Sequence, residues 1–237
     1  MKKSSFVAAA AVAVAVAAQP AKAAVIEVTS ASAFGANDSI NWQQMGVFST
    51  LANSPMTVSS TSGLSVVATS AAGFEAGQAV TSLSQPTSGN DIGNFAPGAT
   101  LLWGNTNIIT LSFASPIQGV GAQLSGDYVG PFNGTVTAYD GSTALGTFTE
   151  SGNTSIGPDN SAIFLGVLSD GPDITSVTYT LNPSWETLTL GNVSLVDSTV
   201  NSAPEPASLA LLGIGLVGLA SVRRQSRQEK CTILPML

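Results

Sequence analysis

Apolar and polar residues alternate with a period of two through much of the chain. Ile109, Leu111 and Phe113 are separated by Thr110 and Ser112, and Val177, Tyr179 and Leu181 by Thr178 and Thr180. A β-strand points successive side chains to opposite faces, so this alternation predicts strands with one face buried. Val120, Ala122 and Leu124 repeat the pattern beyond a break read at Pro116, and Val193 and Leu195 repeat it again. Turn chemistry punctuates these runs at Asn133-Gly134, Asp140-Gly141, Ser151-Gly152-Asn153 and Asp170-Gly171-Pro172. Residues 136–139 and 143–148, joined by Asp140-Gly141, read as a hairpin. Residues 30–98 are less regular: strands are predicted at 25–29 and 64–69, and the Gly- and Ser-rich remainder reads as long loops. Many short strands at close spacing predict an all-β fold, an antiparallel β-sandwich of jelly-roll type.

The ends follow other rules. Lys2 and Lys3 precede an apolar Ala/Val run over residues 6–18, and Gln19-Pro20 then leads to Ala21-Lys22-Ala23 ahead of Ala24. That order is a secretory signal peptide, a short helix cleaved between Ala23 and Ala24. At the other end Pro204-Glu205-Pro206 opens onto residues 207–222, sixteen residues without a charge, followed by Arg223, Arg224 and Arg227. This predicts a hydrophobic transmembrane helix, with the arginines favouring the cytoplasmic side. At about 1.5 Å per residue it reaches roughly 24 Å, short of a hydrocarbon core of about 30 Å. A short span after a specific tripeptide suits a transient hold during processing. The chain thus divides into a signal peptide (1–23), a passenger (24–200) and a tail (201–237).

Pro204, Glu205 and Pro206, a short apolar helix and Arg223 with Arg224 resemble the PEP-CTERM sorting signal of Gram-negative bacteria that make exopolysaccharide. The resemblance implies recognition by an exosortase, a membrane-embedded transpeptidase. The passenger would be tethered to the inner membrane before the cut and delivered to the cell surface or matrix after it. The tail departs from the family pattern by continuing from Gln225 to Leu237, with the sole cysteine at Cys231; failed processing would leave the protein anchored. Residues 107–121, Val136-Thr137-Ala138-Tyr139-Asp140-Gly141, Leu145-Gly146 and Phe164-Leu165-Gly166-Val167 are similar to β-sandwich passengers of such proteins, which implies the fold. The two targeting segments around a cation-free sheet module point to a binding or structural role in the matrix, with exopolysaccharide as the candidate ligand.

Charge narrows the chemistry. The seven Lys and Arg residues all lie in the two end segments, whereas residues 24–200 carry twelve carboxylates and no Lys, Arg or His. Nucleic-acid binding needs cations that displace counterions, so that partner is excluded. Catalysis by a Ser-His-Asp or Cys-His arrangement lacks its base, and zinc lacks its nitrogen and sulphur ligands. The passenger therefore reads as non-catalytic. A carboxylate-pair glycosidase is the one enzyme class the inventory leaves, with Glu75, Glu150 and Glu186 as candidates. Calcium is the metal the side chains suit, from Asp140, Asp170 and Asp173, with Asp38 and Asp197 as a remoter pair. No cofactor is otherwise implied. Trp42, Trp103 and Trp185, with Tyr128 and Tyr139, are candidates for a sugar-stacking platform, against the commoner use of such rings in packing. A coat protein without a ligand is the alternative. Protein recovered from the cell surface is expected to show an intact mass beginning at Ala24 and ending near Pro204-Glu205-Pro206; a full-length soluble cytoplasmic product would contradict both cuts.

Overall fold

The computed structural model describes residues 24–45, 50–79, 94–96, 98–155 and 159–200. The expected signal helix and cleavage residues Ala21 and Ala23, the tripeptide Pro204-Glu205-Pro206, the tail helix and Arg223 and Arg224 lie outside these. Among the described residues no helix is long and apolar enough to cross a membrane.

Among the described residues fourteen strands, all paired antiparallel, form two sheets. They are β1 (Val25–Val28), β2 (Asp38–Ile40), β3 (Thr50–Ala52), β4 (Met56–Ser59), β5 (Ser65–Thr69), β6 (Phe74–Ala79), β7 (Thr100–Trp103), β8 (Ile108–Ile117), β9 (Gly119–Gly126), β10 (Gly130–Asp140), β11 (Thr143–Thr154), β12 (Ile163–Ser169), β13 (Ile174–Asn182) and β14 (Leu188–Val196). The larger sheet runs β1-β12-β9-β14-β7-β6-β3, with β2 sharing the β7 side of β14; the smaller runs β11-β10-β13-β8-β5-β4. A one-turn helix (Ala31–Phe34) and a 3-10 turn (Trp42–Met45) complete the described fold.

The alternation seen in the sequence is the in-out pattern of these strands. Val136, Ala138, Val177, Tyr179, Ile109 and Leu111 of the smaller sheet are buried against Val120, Ala122, Leu124, Leu190 and Val193 of the larger. Each such Val or Leu contributes roughly 1.5–3 kcal/mol by leaving water. The predicted hairpin is present, with Tyr139 opposite Ala144 and Asp140 opposite Thr143. Residues 30–98 are richer in strands than expected, with β2, β3, β4 and β6 in addition to β5.

Three punctuation marks mean something else in the fold. Pro116 does not end β8, which continues to Ile117; the β8–β13 ladder is irregular there, so the missing N–H is not required. Asn133-Gly134 lies inside β10 and Ser151-Gly152-Asn153 inside β11. A Cβ on Gly134 would strike a Leu124 methyl, and one on Gly152 would strike the Phe132 ring. Both positions are glycine for close packing, not for turning.

Where β2 and β7 meet the same side of β14, a bulge shifts the β9 register between Leu190 and Val193. Buried polar groups hold it: Trp42 Nε1 donates to the Gly191 carbonyl (2.8 Å), Trp42 N to Thr100 Oγ1 (2.8 Å), and Thr100 N and Oγ1 to Asn192 Oδ1 (2.9 and 2.5 Å). Tyr179, like Thr189 Oγ1 and Glu27 Oε1 among the described residues, is an exception to such satisfaction: its hydroxyl is fully buried without a hydrogen-bond partner, and burial pushes its pKa well above the ordinary tyrosine range. Removing an unmatched buried hydroxyl releases its desolvation cost. Tyr179→Phe is therefore expected to keep or raise the denaturation midpoint, while Leu111→Ala loses about 2–5 kcal/mol.

Candidate functional site

β9 ends in the larger sheet and β10 begins in the smaller, while β13 ends in the smaller and β14 begins in the larger. β9 pairs with β14 and β10 with β13, so the two crossings between sheets lie side by side. Asp127, Tyr128 and Val129 form the first crossing, and residues 183–187 form the second, after a cis Asn182–Pro183 bond. Asp127 N donates to the Thr187 carbonyl (3.2 Å) and fastens one crossing to the other, while Glu186 N donates to the Pro183 carbonyl (3.1 Å) and closes the second turn on itself.

This corner projects an aromatic pair. Trp185 is 67% and Tyr128 53% exposed, with ring centroids 5.7 Å apart at 69°. Glu186 turns the other way, is only 3% exposed, and accepts from Tyr128 N at 3.2 Å. Gly126 leaves room for its carboxylate: a Cβ there would stand 2.7 Å from Glu186 Oε2. Burial raises the pKa of Glu186 above the ordinary carboxylate value; the charge of Asp127 adds to this, and the N–H groups of Tyr128 and Asp127 oppose it. Nearby in the chain, a hollow of about 300 Å³ is lined by Asn133, Ser151, Asn182 and Phe132 between Pro131 and Pro183. Ser151 Oγ donates to Asn133 Oδ1 at 2.8 Å. Exposed rings beside amides and a hydroxyl can stack on an apolar face and bond to hydroxyls around its rim.

The tryptophans named from the sequence do not form one platform. Trp42 is fully buried at the β14 bulge, a core residue without a surface to offer. Trp103 is half-buried on β7 and packs against Phe95, Ala99, Leu101 and Ala162. Trp185 alone of the three is exposed, and its partner is Tyr128, a pairing made by strand neighbours far apart in sequence. Tyr139 lies on the outer face of β10, away from this corner.

The carboxylate candidates are dispersed. Glu75 is on β6, opposite Leu51 and Trp103. Glu150 lies near Glu27 of β1, whose pKa is raised by burial and then by the charge of Glu150. Asp140 closes β10 opposite Thr143. Asp170 and Asp173 belong to the β12–β13 turn, where Ser169 Oγ donates to Asp173 Oδ2 (3.1 Å). The strands bearing Asp38 and Asp197 do meet, with Asp38 opposite Leu195, but their carboxylates are separately occupied. Asp38 accepts from Ser39 N (2.8 Å), Ser62 N (2.9 Å) and Ser62 Oγ (2.5 Å), and Asp197 from Thr199 N and Oγ1 (both 2.8 Å). Among the described residues no three His, Cys, Asp or Glu side chains gather where they would hold a metal ion.

Fold and sequence together define a two-sheet, all-β passenger attached to a C-terminal sorting tail. Residues 202–225 match the PEP-CTERM protein-sorting motif, and that motif implies export and processing by an exosortase. No curated protein matches the chain in sequence. Among solved structures it is similar to a DUF4465 family protein from Bacteroides caccae, at 10% identity and a TM-score of 0.39, over 72% of this chain and 99% of that one. It is also similar to TmCBM61 in complex with β-1,4-galactotriose, at 11% identity and a TM-score of 0.23, over 66% of this chain and 94% of that one.

The carboxylates give a signed pH dependence. Glu186 and Glu27 have raised pKa values in the fold, so the native state holds their protons more tightly, and their contribution to stability falls as pH rises above the ordinary value of about 4.3. Asp38 is the opposite case: burial alone would raise its pKa, but hydrogen bonds from Ser60, Ser62 and Ser39 outweigh this and lower it. Its stabilisation is lost as pH falls below about 3.9. Stability followed by thermal melting is expected to rise on acidification from neutrality toward that region and then decline. Glu186→Gln flattens the first limb and Asp38→Asn the second; an unchanged profile in E186Q would refute the assignment.

Proposed function

We propose that this is an exported protein whose tail is cut by an exosortase-type transpeptidase, placing the β-sandwich at the cell surface or in the extracellular matrix. There the passenger, residues 24–200, works as a non-catalytic carbohydrate-binding module, with exopolysaccharide as its natural ligand class. The sorting motif supports the destination. The observation that carries the binding role is the edge-to-face Tyr128–Trp185 pair, held out in water, with the hollow lined by Asn133, Ser151 and Asn182 close to it in the chain. A rigid aromatic pair exposed at two fastened crossings loses little conformational freedom on contact, and sugar rings offer apolar C–H faces to stack against it.

Glu186 supports a positioning role: its carboxylate fixes the Tyr128 backbone from behind while facing away from solvent. A panel of polysaccharides presented to the full chain is expected to yield at least one binder. Trp185→Ala should weaken that binding by about tenfold or more, equivalent to about 1.4 kcal/mol or more, without lowering the melting temperature. Binding indifferent to W185A, or a blank panel, would leave the coat-protein alternative in its place.

A further inference from the structure

The outer face of the smaller sheet carries an ordered array of hydroxyls. β10, β11 and β13 each present a Thr-x-Thr: Thr135-Val136-Thr137, Thr147-Phe148-Thr149 and Thr178-Tyr179-Thr180. The registers align them, Thr149 opposite Thr135 opposite Thr180, and Thr147 opposite Thr137 opposite Thr178. The second row continues through Thr110 of β8 to Thr69 of β5, so five threonines cross five strands. Hydroxyls within the rows bond to one another, Thr135 to Thr149 at 2.9 Å, Thr137 to Thr147 at 3.1 Å and Thr110 to Thr178 at 2.9 Å. Each such pair uses one donor and keeps a second, with further lone pairs, for a partner.

The array reaches the hollow that lies next to the aromatic corner in the chain. One pleat step along the strands from Thr135 and Thr180 stand Asn133 and Asn182, the amides of the hollow. One step beyond Thr137 and Thr178 stand Tyr139 and Ser176. From Asn133 to Tyr139 the face runs about 20 Å at ~3.4 Å per residue. Amide, hydroxyl and methyl groups cover it, Tyr139 stands at one end, and no charged side chain interrupts the rows. Elsewhere on the passenger charge is only negative.

We infer that the outer face of the smaller sheet extends the Tyr128–Trp185 corner into a track for a long, uncharged polysaccharide. The inference rests on the carbohydrate reading of that corner. It adds the ligand's length and charge. A chain stacked at Trp185 lays successive sugars across the asparagine and threonine rows toward Tyr139. An anionic polymer gains no counter-charge on the track and is repelled by the surrounding carboxylates.

The test titrates the full chain with trisaccharide, hexasaccharide and polymer forms of a neutral glucan, galactan and mannan, and with polygalacturonate as the anionic probe. Affinity for the bound neutral series should rise about tenfold or more from trisaccharide to hexasaccharide, with polygalacturonate not bound. The double variant Thr137→Val/Thr178→Val, near-isosteric and suited to strands, should remove that gain and leave trisaccharide affinity unchanged; Thr137→Ser/Thr178→Ser should retain the gain. Trp185→Ala should weaken every length. Trisaccharide binding lost in W185A but without any gain in length would overturn the track and preserve the corner. Polygalacturonate binding as tightly as the neutral polymer would overturn the charge assignment. No binding by any neutral form would overturn corner and track together.

Discussion

A passenger without a single cationic side chain must satisfy its carboxylates with neutral donors. Ion pairing is unavailable from Ala24 to Val200, and a buried carboxylate left bare is costly. The fold answers with backbone N–H groups and hydroxyls. Asp38 is held by Ser39 and Ser62, Asp197 by Thr199, and Asp159 by Asn94, Ser155 and Ser161. For Asp38 and Asp159 these bonds outweigh the effect of burial and hold the pKa low. Glu186 has fewer donors beside a second carboxylate, and its pKa moves up. Stability in this domain is therefore tied to local loop geometry around each carboxylate, since a donor N–H serves only while its loop keeps its shape.

The same constraint governs the surface. Solvent-facing strands commonly use Lys and Glu to stay soluble; here Thr, Ser and Asn cover the outer face of the smaller sheet, and their hydroxyls pair across strands. Threonine suits such a face because its branched Cβ fits the pleat while its oxygen remains available to solvent or a ligand. A domain built this way repels polyanions and presents an uncharged face on that sheet.

The corner bearing Tyr128 and Trp185 depends on close approach of the sheets. Gly134 of β10 gives up a side chain so that Leu124 of β9 fits across the sheets, and Gly152 of β11 leaves room for the ring of its cross-strand neighbour Phe132. The crossings from β9 to β10 and from β13 to β14 then run side by side, and the aromatic pair is a consequence of that topology. Trp42 shows the opposite fate for the same residue type: a ring spent on closing the β14 bulge, with its N–H committed to the Gly191 carbonyl.

Much of this was legible without coordinates, because strand periodicity, turn chemistry and charge inventory are local or compositional. The alternation around Ile109, Val120 and Tyr179 predicted faces that pack, and Pro204-Glu205-Pro206 with the apolar run and arginines after it announced the sorting motif. What only tertiary structure decided was the use of individual residues. Gly134 and Gly152 read locally as turns yet serve packing, Pro116 reads as a break yet sits in a strand, and three similar tryptophans divide into core, half-buried and exposed. Whether a ring is buried, and which ring it meets, depends on strands paired across long stretches of chain, and nothing in the residues beside it carries that information.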